Sequence, residues 1–339
     1  MNQFFCAHLS RESGEDIIGS APSHDTYIAI ECRQPWAAKA FESKFLPPNL
    51  KALVEEVRRS KRSVRFLLVS TLETETQGFT RVLTFQKMPF PSQGYTRREF
   101  RVMDIAEVAP IVERYLANPN FVTVASTPVD EQVRDFLICT HGSHDKCCAR
   151  YGNPFYRQAL KLKSELGWEK VRFWQASHIG GHRFAPTAIG FPDGRYYGGL
   201  DGDSISAIVQ QAGDIRCFEK VYRGWGILPR KVQVLERQLL LEQGWDWFNA
   251  RVESEILRED DELTLVRLHC HQPGMQPRVY QAEIVEDEDK TLEMRGSCGS
   301  QKESRFPKYK VRSLKLRSVA IASSPVKSMA VGARVKAKG

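Results

Sequence analysis

The sequence predicts an α/β (α+β) protein of two successive units with the same order of elements, followed by a small antiparallel α+β appendage. The order strand, helix, strand, strand, helix occurs in residues 25–116 and again in residues 136–213. A further helix and several strand-like segments then follow without another repeat. The composition, 42% hydrophobic and 27% charged in 339 residues, is that of a globular chain with a substantial core.

The first unit opens with a strand at Asp25–Cys32. Asn49 is placed to cap the helix LKALVEEVRRS, whose apolar residues share one side: Leu50, Leu53, Val54 and Val57. Two apolar strands, VRFLLVS and RVLTFQK, and a helix at Ile105–Leu116 complete the unit. Residues 119–131 have the composition of a linker.

The second unit begins with the apolar strand Arg134–Cys139, and Pro154 is predicted to open a helix that Gly167 ends. The strands that follow and the last helix, capped near Asp203 or Ser204, repeat the first unit: Val171–Ala176, Thr187–Phe191 and Arg195–Leu200. The appendage has a helix over residues 231–243 and four strands, Leu263–Cys270, Arg278–Val285, Thr291–Met294 and Tyr309–Leu316.

The distribution of charge along the chain argues against nucleic-acid binding by residues 1–304. Ten of the 49 Lys and Arg residues, and no acidic residue, lie in residues 305–339, so residues 1–304 carry 39 basic against 41 acidic side chains. The closing segment has too few apolar residues to order itself, and we expect a solvated basic tail. A polyanion or an acidic partner is the alternative role for such a tail.

No apolar run approaches the roughly 18 residues of a membrane span, and the first residues turn acidic too early for a signal peptide. We therefore expect a cytoplasmic protein without membrane association. Eight irregularly spaced cysteines fit reduced thiols and a metal site better than a disulfide framework.

Two groups of metal-binding side chains follow two strands of the second unit. Cys139 ends one strand and precedes the vicinal pair Cys147 and Cys148, while His178 and His182 flank two glycines after another strand. Two thiolates and two imidazoles suit zinc, and equally a [2Fe-2S] cluster in which histidines replace two cysteines. A Rieske site is not expected, because the chain contains no Cys-x-x-His.

The runs CTHGSHDKCCARYG, SHIGGHRFAPT and FPDGRYYGGL resemble the sucrase/ferredoxin-like family. This resemblance implies a thioredoxin-like ferredoxin with a [2Fe-2S] cluster, and the repeated order of elements suggests two tandem thioredoxin-like domains, of which only the second holds the cluster. The resemblance also implies the ligands Cys139, Cys148, His178 and His182, with Cys147 as an extra thiol. We place the degenerate thioredoxin-like domain at residues 1–120, the ferredoxin domain at 132–228, the appendage at 229–318 and the basic disordered tail at 319–339.

Other candidate residues have simpler explanations. Cys6-Ala7-His8 is interpreted as a terminus that packs its thiol, and His269-Cys270-His271 as a strand with alternating faces. His141 and His144 either hydrogen-bond to cluster sulfurs or face solvent, and Arg183 either steers an acidic partner or forms a structural ion pair. Without a Cys-x-x-Cys motif, Cys147 and Cys148 are not expected to act as an exchanging thiol pair.

The sequence therefore predicts an electron carrier rather than a catalyst, passing single electrons to or from an unidentified redox partner protein. Histidine ligands would couple the electron to a proton. The alternative is a zinc-stabilised protein-interaction module without redox activity. A hydrolase role for Asp201 and Asp203 is not supported by any catalytic arrangement of residues in the sequence, since helix capping accounts for both carboxylates.

Overall fold

The computed structural model describes residues 4–72, 78–128 and 130–318. Its helices are α1 (Cys6–Glu12), α2 (Pro48–Arg59), α3 (Val108–Ala117), α4 (Lys146–Leu166), α5 (Gly202–Gln210), α6 (Phe218–Val221) and α7 (Arg230–Gln243). Its strands are β1 (Thr26–Glu31), β2 (Val64–Ser70), β3 (Thr80–Lys87), β4 (Tyr95–Val102), β5 (Ser126–Thr127), β6 (Arg134–Cys139), β7 (Val171–Ala176), β8 (Ala188–Phe191), β9 (Arg195–Tyr197), β10 (Tyr222–Trp225), β11 (Arg251–Glu259), β12 (Thr264–His271), β13 (Arg278–Glu286), β14 (Leu292–Arg295), β15 (Glu303–Phe306) and β16 (Tyr309–Ser318).

The predicted mixed fold is confirmed, and the repeat is visible in the sheet order. Ten strands form one sheet in the order β10-β9-β8-β6-β7-β2-β1-β3-β4-β5. Within it, β2-β1-β3-β4 and β7-β6-β8-β9 have the same order and the same directions: one parallel pair, then two antiparallel pairs. The two halves join where β2 pairs with β7, Val69 opposite Ala176 and Ser70 opposite Gln175.

Both faces of this sheet are covered. Along β1, Ile28 and Ile30 belong to a core with α2 and α3, whereas Tyr27 and Ala29 belong to a larger core. That larger core also contains apolar residues of α4, α5 and α7 and of the C-terminal strands. Because strand side chains alternate between faces, the near-continuous apolar run of β1 reflects burial on both sides.

The predicted starts of α2 and α4 are wrong, for local reasons. Helix α2 begins at Pro48 after the N-cap residue Pro47, and the Asn49 side chain instead donates to the Ala106 carbonyl. Helix α4 begins at Lys146 and contains Pro154 in its interior. Its N-cap is Asp145, whose Oδ1 accepts a 2.8 Å hydrogen bond from the amide of Cys147.

Strand β4 (YTRREFRV) was not predicted from the sequence, because charged residues lie on both of its faces. The structure accommodates them in a buried ion-pair network, in which Arg97 bonds Glu99 at 2.6 Å and Asp135 at 3.0 Å. Arg172 of β7 completes the network with contacts to the same two carboxylates, at 2.9 and 2.7 Å. Paired in this way, charged side chains are compatible with a buried strand.

The C-terminal part consists of α7, a four-stranded antiparallel sheet in the order β11-β12-β13-β16, and the two-stranded sheet β14-β15. The predicted helix and four strands are present with small shifts of their ends, and β11 and β15 were not predicted. The loop between β14 and β15 carries Cys298. The predicted tail at residues 319–339 lies outside the described residues.

Candidate metal centre

Thiol and imidazole groups gather in two neighbouring clusters at the start of helix α4. The first, which we call the strand-end site, contains Cys139, Cys148 and His178. The second, which we call the three-thiol site, contains Cys6, Cys147 and Cys298 with the carboxylate of Asp145. In each cluster the potential ligand atoms lie within 4.8 Å of one another, so each has the geometry to hold a metal ion.

Cys139 and Cys148 reach the strand-end site from a strand and a helix. Cys139 is the last residue of β6, and Cys148 lies in the first turn of α4. The two elements approach closely because Gly152 faces the Cys139 carbonyl; a Cβ there would lie 2.0 Å from that oxygen. Both thiols are buried, at about 1% exposure, which keeps water from a bound group.

The loop after β7 brings His178 to the same place, as its two glycines predicted. Gly180 and Gly181 have φ of 88° and 76°, backbone conformations that favour glycine. Two arginines hold the loop: Arg65 donates to the His178 carbonyl at 2.6 Å, and Arg223 donates to the Gly180 carbonyl at 3.0 Å. His178 is therefore positioned by β2 and β10 as well as by its own strand.

The distances within the strand-end site suit ligands of one metal ion. His178 Nδ1 lies 3.9 Å from the Cys139 sulfur and 3.6 Å from the Cys148 sulfur. A tetrahedral ion with ordinary metal–sulfur and metal–nitrogen bonds separates such ligand atoms by about 3.6 Å. The hydrogen bond from the Cys148 thiol holds the pKa of Cys139 well below its usual range, while that of Cys148 is raised. One thiolate is thus already favoured at this buried position.

His182, the fourth predicted ligand, is turned toward Asp145. Its Nδ1 lies 3.4 Å from Asp145 Oδ2 and 3.2 Å from the Cys6 sulfur. Its ring centroid is 5.5 Å from that of His178, so the two imidazoles remain neighbours. Burial lowers the pKa of His182, which favours the neutral imidazole that metal binding requires. The structure thus groups three of the four predicted ligands. It places the fourth, His182, beside them, with Nδ1 in contact with the Asp145 carboxylate.

The two histidines between the ligand cysteines have different surroundings. His141 is buried, accepts from the His178 amide at 3.1 Å through Nδ1, and bonds the Ala37 carbonyl at 2.8 Å through Nε2. These partners assign the proton to Nε2, and they leave neither nitrogen for a sulfur. His144 is exposed and stacks on His178 with ring centroids 3.9 Å apart. It therefore covers the outer face of a predicted ligand.

The three-thiol site was missed by sequence reasoning. Its sulfurs form a triangle with Cys6 to Cys147 at 3.5 Å, Cys147 to Cys298 at 3.3 Å and Cys298 to Cys6 at 3.6 Å. From the sequence, Cys6 was interpreted as a thiol packed at the terminus and Cys147 as only an extra thiol. The contact between these two thiols and Cys298 was therefore not predicted. Cys6 and Cys298 are 292 positions apart, so no short spacing motif could have indicated it.

Comparison with known proteins agrees with the motifs that surround the strand-end site. The Sucrase/ferredoxin-like family model matches residues 17–224, more than half of the chain. The chain belongs to the sucrase/ferredoxin-like family. Comparisons with curated proteins and with solved structures give no significant match.

The sucrase/ferredoxin-like match contains all residues of the strand-end site but neither Cys6 nor Cys298 of the three-thiol site. Among the described residues, no helix combines the length and apolar character needed to cross a membrane.

Three further sequence interpretations can be compared with the structure of this family member. Cys270 is buried on β12 between less buried neighbours, as expected of a strand with alternating faces. Arg183 forms an ion pair with the buried Glu15 at 2.9 Å, which favours the structural reading of that residue. Asp201, rather than Asp203 or Ser204, is the N-cap of α5 and forms a capping box with Ser204.

Proposed function

We propose that this protein is a one-electron carrier whose [2Fe-2S] cluster is held by Cys139, Cys148, His178 and His182. The observation that carries the proposal is the strand-end site itself, where two buried thiols and the imidazole of His178 gather within 4.8 Å of one another, with the ring of His182 beside that of His178. Family membership supports it, since the matched residues include all four proposed ligands.

The donor set fits such a group. Two thiolates can hold one iron and two neutral imidazoles the other. His182 supports this fit through its contact with Asp145: a metal-bound histidine commonly donates its second ring N–H to a carboxylate, which orients the ring. With Nδ1 on Asp145, Nε2 is the nitrogen left to bind iron.

When bound, a [2Fe-2S] cluster supplies one-electron oxidation and reduction. Because two neutral imidazoles replace two thiolates, the protein gives the oxidised site about two fewer negative charges than four cysteines would, which raises its reduction potential. Arg65 and Arg223 also raise the reduction potential, since their guanidinium groups donate hydrogen bonds to backbone carbonyls of the loop that carries the two histidines. The buried cysteines exclude water on the inner side.

The half-buried histidines form the open side of the site. His178 lies under the exposed ring of His144, and 19% of the His182 side chain is exposed. This is the side at which an electron would leave, and at which a redox partner protein would dock. An imidazole in contact with solvent can also exchange a proton as the charge of the site changes, which couples the potential to pH.

The test is the visible spectrum of anaerobically purified protein before and after dithionite, with iron and acid-labile sulfide analysis. We expect a red-brown protein that bleaches on reduction and contains about two irons and two sulfides per chain. Cys139→Ser should lose both, whereas Cys217→Ser, a cysteine outside both clusters, should keep them. A colourless protein whose strand-end cysteines bind zinc would replace this proposal with a zinc-stabilised interaction module.

The histidine ligands are tested through the reduction potential. We expect His178→Cys and His182→Cys to keep a cluster, to lower its potential and to remove a pH dependence that approaches about 59 mV per pH unit for one proton per electron. His269→Cys, on β12 of the four-stranded sheet, is the matched control. An unchanged potential in both ligand variants would refute the ligand assignment.

A further inference from the structure

Three thiols from distant parts of the chain meet at the three-thiol site. Cys6 comes from α1, Cys147 from the first turn of α4, and Cys298 from the loop between β14 and β15. We propose that Cys6, Cys147 and Cys298 bind a structural zinc ion, with the Asp145 carboxylate as the fourth ligand. This site uses none of the four proposed cluster ligands, although His182 lies against two of its members, Cys6 and Asp145.

The sulfur triangle has the dimensions of a zinc–thiolate site. Tetrahedral zinc, with zinc–sulfur bonds of about 2.3 Å, places its sulfur ligands about 3.8 Å apart. The three sulfur–sulfur distances here, 3.3, 3.5 and 3.6 Å, are similar to one another and close to that value. A disulfide would instead join two sulfurs at about 2.05 Å and leave the third without a role. The near-equal triangle therefore favours a shared ion.

Asp145 is held in position to complete the tetrahedron. Its Oδ1 accepts a hydrogen bond from the amide of Cys147, which fixes the carboxylate at the start of α4. Its Oδ2 accepts a 3.4 Å hydrogen bond from the amide of Cys298, and a carboxylate oxygen of Asp145 lies within 4.8 Å of all three sulfurs. Four protein ligands from Cys and Asp make a closed site, which is the structural rather than the catalytic type of zinc site.

The elements that meet at the three-thiol site are small and need a further stabilising interaction. Helix α1 has seven residues and β14-β15 is a sheet of two four-residue strands, and elements this small are marginal alone. Among the described residues, the apolar cluster at this site has four buried members, Cys6, Ala7, Cys147 and Ala185, with Cys298 packed against them. A bound ion would add the stability that so small a core lacks.

Metal analysis of the full-length protein tests the proposal. Zinc, iron and sulfide are measured per chain after purification in zinc-containing buffer and gel filtration. We expect about one zinc per chain, reduced at least fivefold in Cys6→Ser and Cys298→Ser, with iron and sulfide unchanged. Asp145→Asn, which retains the helix-capping oxygen, should weaken zinc binding at least tenfold in a competition with a chelating dye.

Matched variants separate this site from the electron-transfer centre. Cys139→Ser should lose iron and keep zinc, and Cys217→Ser should keep both. Zinc that is absent from the wild type, or that persists in both Cys6→Ser and Cys298→Ser, would overturn the proposal. Thiol titration of the denatured wild type gives a second readout: eight free thiols are expected, and a disulfide with no zinc would also overturn it.

Hydrogen exchange tests the structural role without a substitution. Chelation of the zinc should accelerate amide exchange in residues 4–12 and 292–306, because these are the segments that the ion ties to α4. Exchange in β6 and β7 should stay slow, since the large core holds those strands. Acceleration confined to β6 and β7 would place the chelated zinc in the strand-end site and would contradict the proposal.

Discussion

Helix α4 passes directly against the end of strand β6 because Gly152 has no side chain to separate it from Cys139. A Cβ on Gly152 would lie 2.0 Å from the Cys139 carbonyl oxygen, far inside van der Waals contact. Gly152 is one helical turn beyond Cys148, so the two residues share a face of α4. The close approach at Gly152 therefore sets how near the Cys148 thiol comes to that of Cys139.

Gly152→Ala should disrupt the strand-end site. The added methyl group must push α4 away from β6, because the atom it meets is backbone and cannot rotate aside. We expect iron and sulfide content to fall at least severalfold, measured together with circular dichroism. Arg157→Ala, on the exposed face of the same helix, is the control and should retain both. Full iron content in Gly152→Ala would show that the helix contact does not position Cys148.

Arg65→Met should lower the reduction potential of the proposed cluster. The Arg65 guanidinium donates to the His178 carbonyl, so its charge stabilises the additional electron. At an effective dielectric constant of about 20, loss of a charge within about 10 Å removes about 1–2 kcal/mol, or several tens of millivolts. Arg317→Met, an exposed arginine of β16, should leave the potential unchanged. Spectroelectrochemical titration measures both, and a potential that rises in Arg65→Met would contradict this electrostatic role.

His24 should make the protein less stable as the pH falls below about 6.5. Burial, assisted by the positive charge of Arg65, lowers the pKa of His24 to about 4. The unfolded chain then binds the proton first, so the stabilisation present above pH 6.5 is lost as the pH falls toward 4. After allowance for partial exposure, we expect about 1 kcal/mol less stability at pH 5 than at pH 7 from this residue.

Urea unfolding of His24→Gln at both pH values measures that contribution. The variant cannot take up the proton, so its loss of stability on acidification should be smaller than that of the wild type. His271→Gln, an exposed histidine of β12, should keep the wild-type slope. Equal slopes for His24→Gln and the wild type would show that His24 does not carry the effect.

The buried ion pair between Arg195 and Glu236 ties α7 to the large sheet. Arg195 Nη1 lies 2.7 Å from Glu236 Oε1, and both side chains are fully buried. Glu236→Gln keeps the volume and an oxygen for the Trp247 indole, but it leaves the guanidinium with the neutral Tyr222 hydroxyl and with the more distant carboxylate of Asp193, at 3.7 Å. We expect a loss of about 3 kcal/mol in the free energy of unfolding.

Denaturant unfolding followed by tryptophan fluorescence checks the Glu236→Gln value. Glu42→Gln removes an exposed pair with Lys39 and should change the transition little. Replacement of both partners, Arg195→Met with Glu236→Leu, should recover much of the stability, because no charge is then left buried alone. If the double variant is no more stable than Glu236→Gln, the lost contact rather than the uncompensated charge causes the destabilisation.

Much of the strand-end site could be anticipated from the sequence. Residues 134–139 and 171–176 are short apolar segments, and each is followed closely by a thiol or an imidazole. Since β6 and β7 are parallel neighbours, their ends meet at the same edge of the sheet, and Cys139 lies opposite Ala176, two residues before His178. Periodicity and spacing placed Cys139, the Cys147–Cys148 pair and His178 near one edge of the sheet, whereas the choice of Cys148 over Cys147 came from the family resemblance.

The start of α4 was predicted at the wrong residue, Pro154, although the sequence shows the residue that caps the helix. Pro154 suits the first turn of a helix and was predicted to start it, and Asp145 was not considered as an N-cap. In the structure Asp145 caps the helix and Pro154 lies in its interior, which moves Cys147 and Cys148 from a loop into a helical turn. That change turns Cys147 toward α1 and Cys148 toward β6.

The sequence by itself determined the strands, the repeated order of elements and the positions of Cys139 and His178 after two neighbouring strands, because these depend on periodicity over a few residues. Only the tertiary structure decided that Cys6, Cys147 and Cys298 meet, and that Nδ1 of His182 lies on Asp145. The physical reason is that such meetings depend on the packing of elements hundreds of residues apart, for which no local pattern exists.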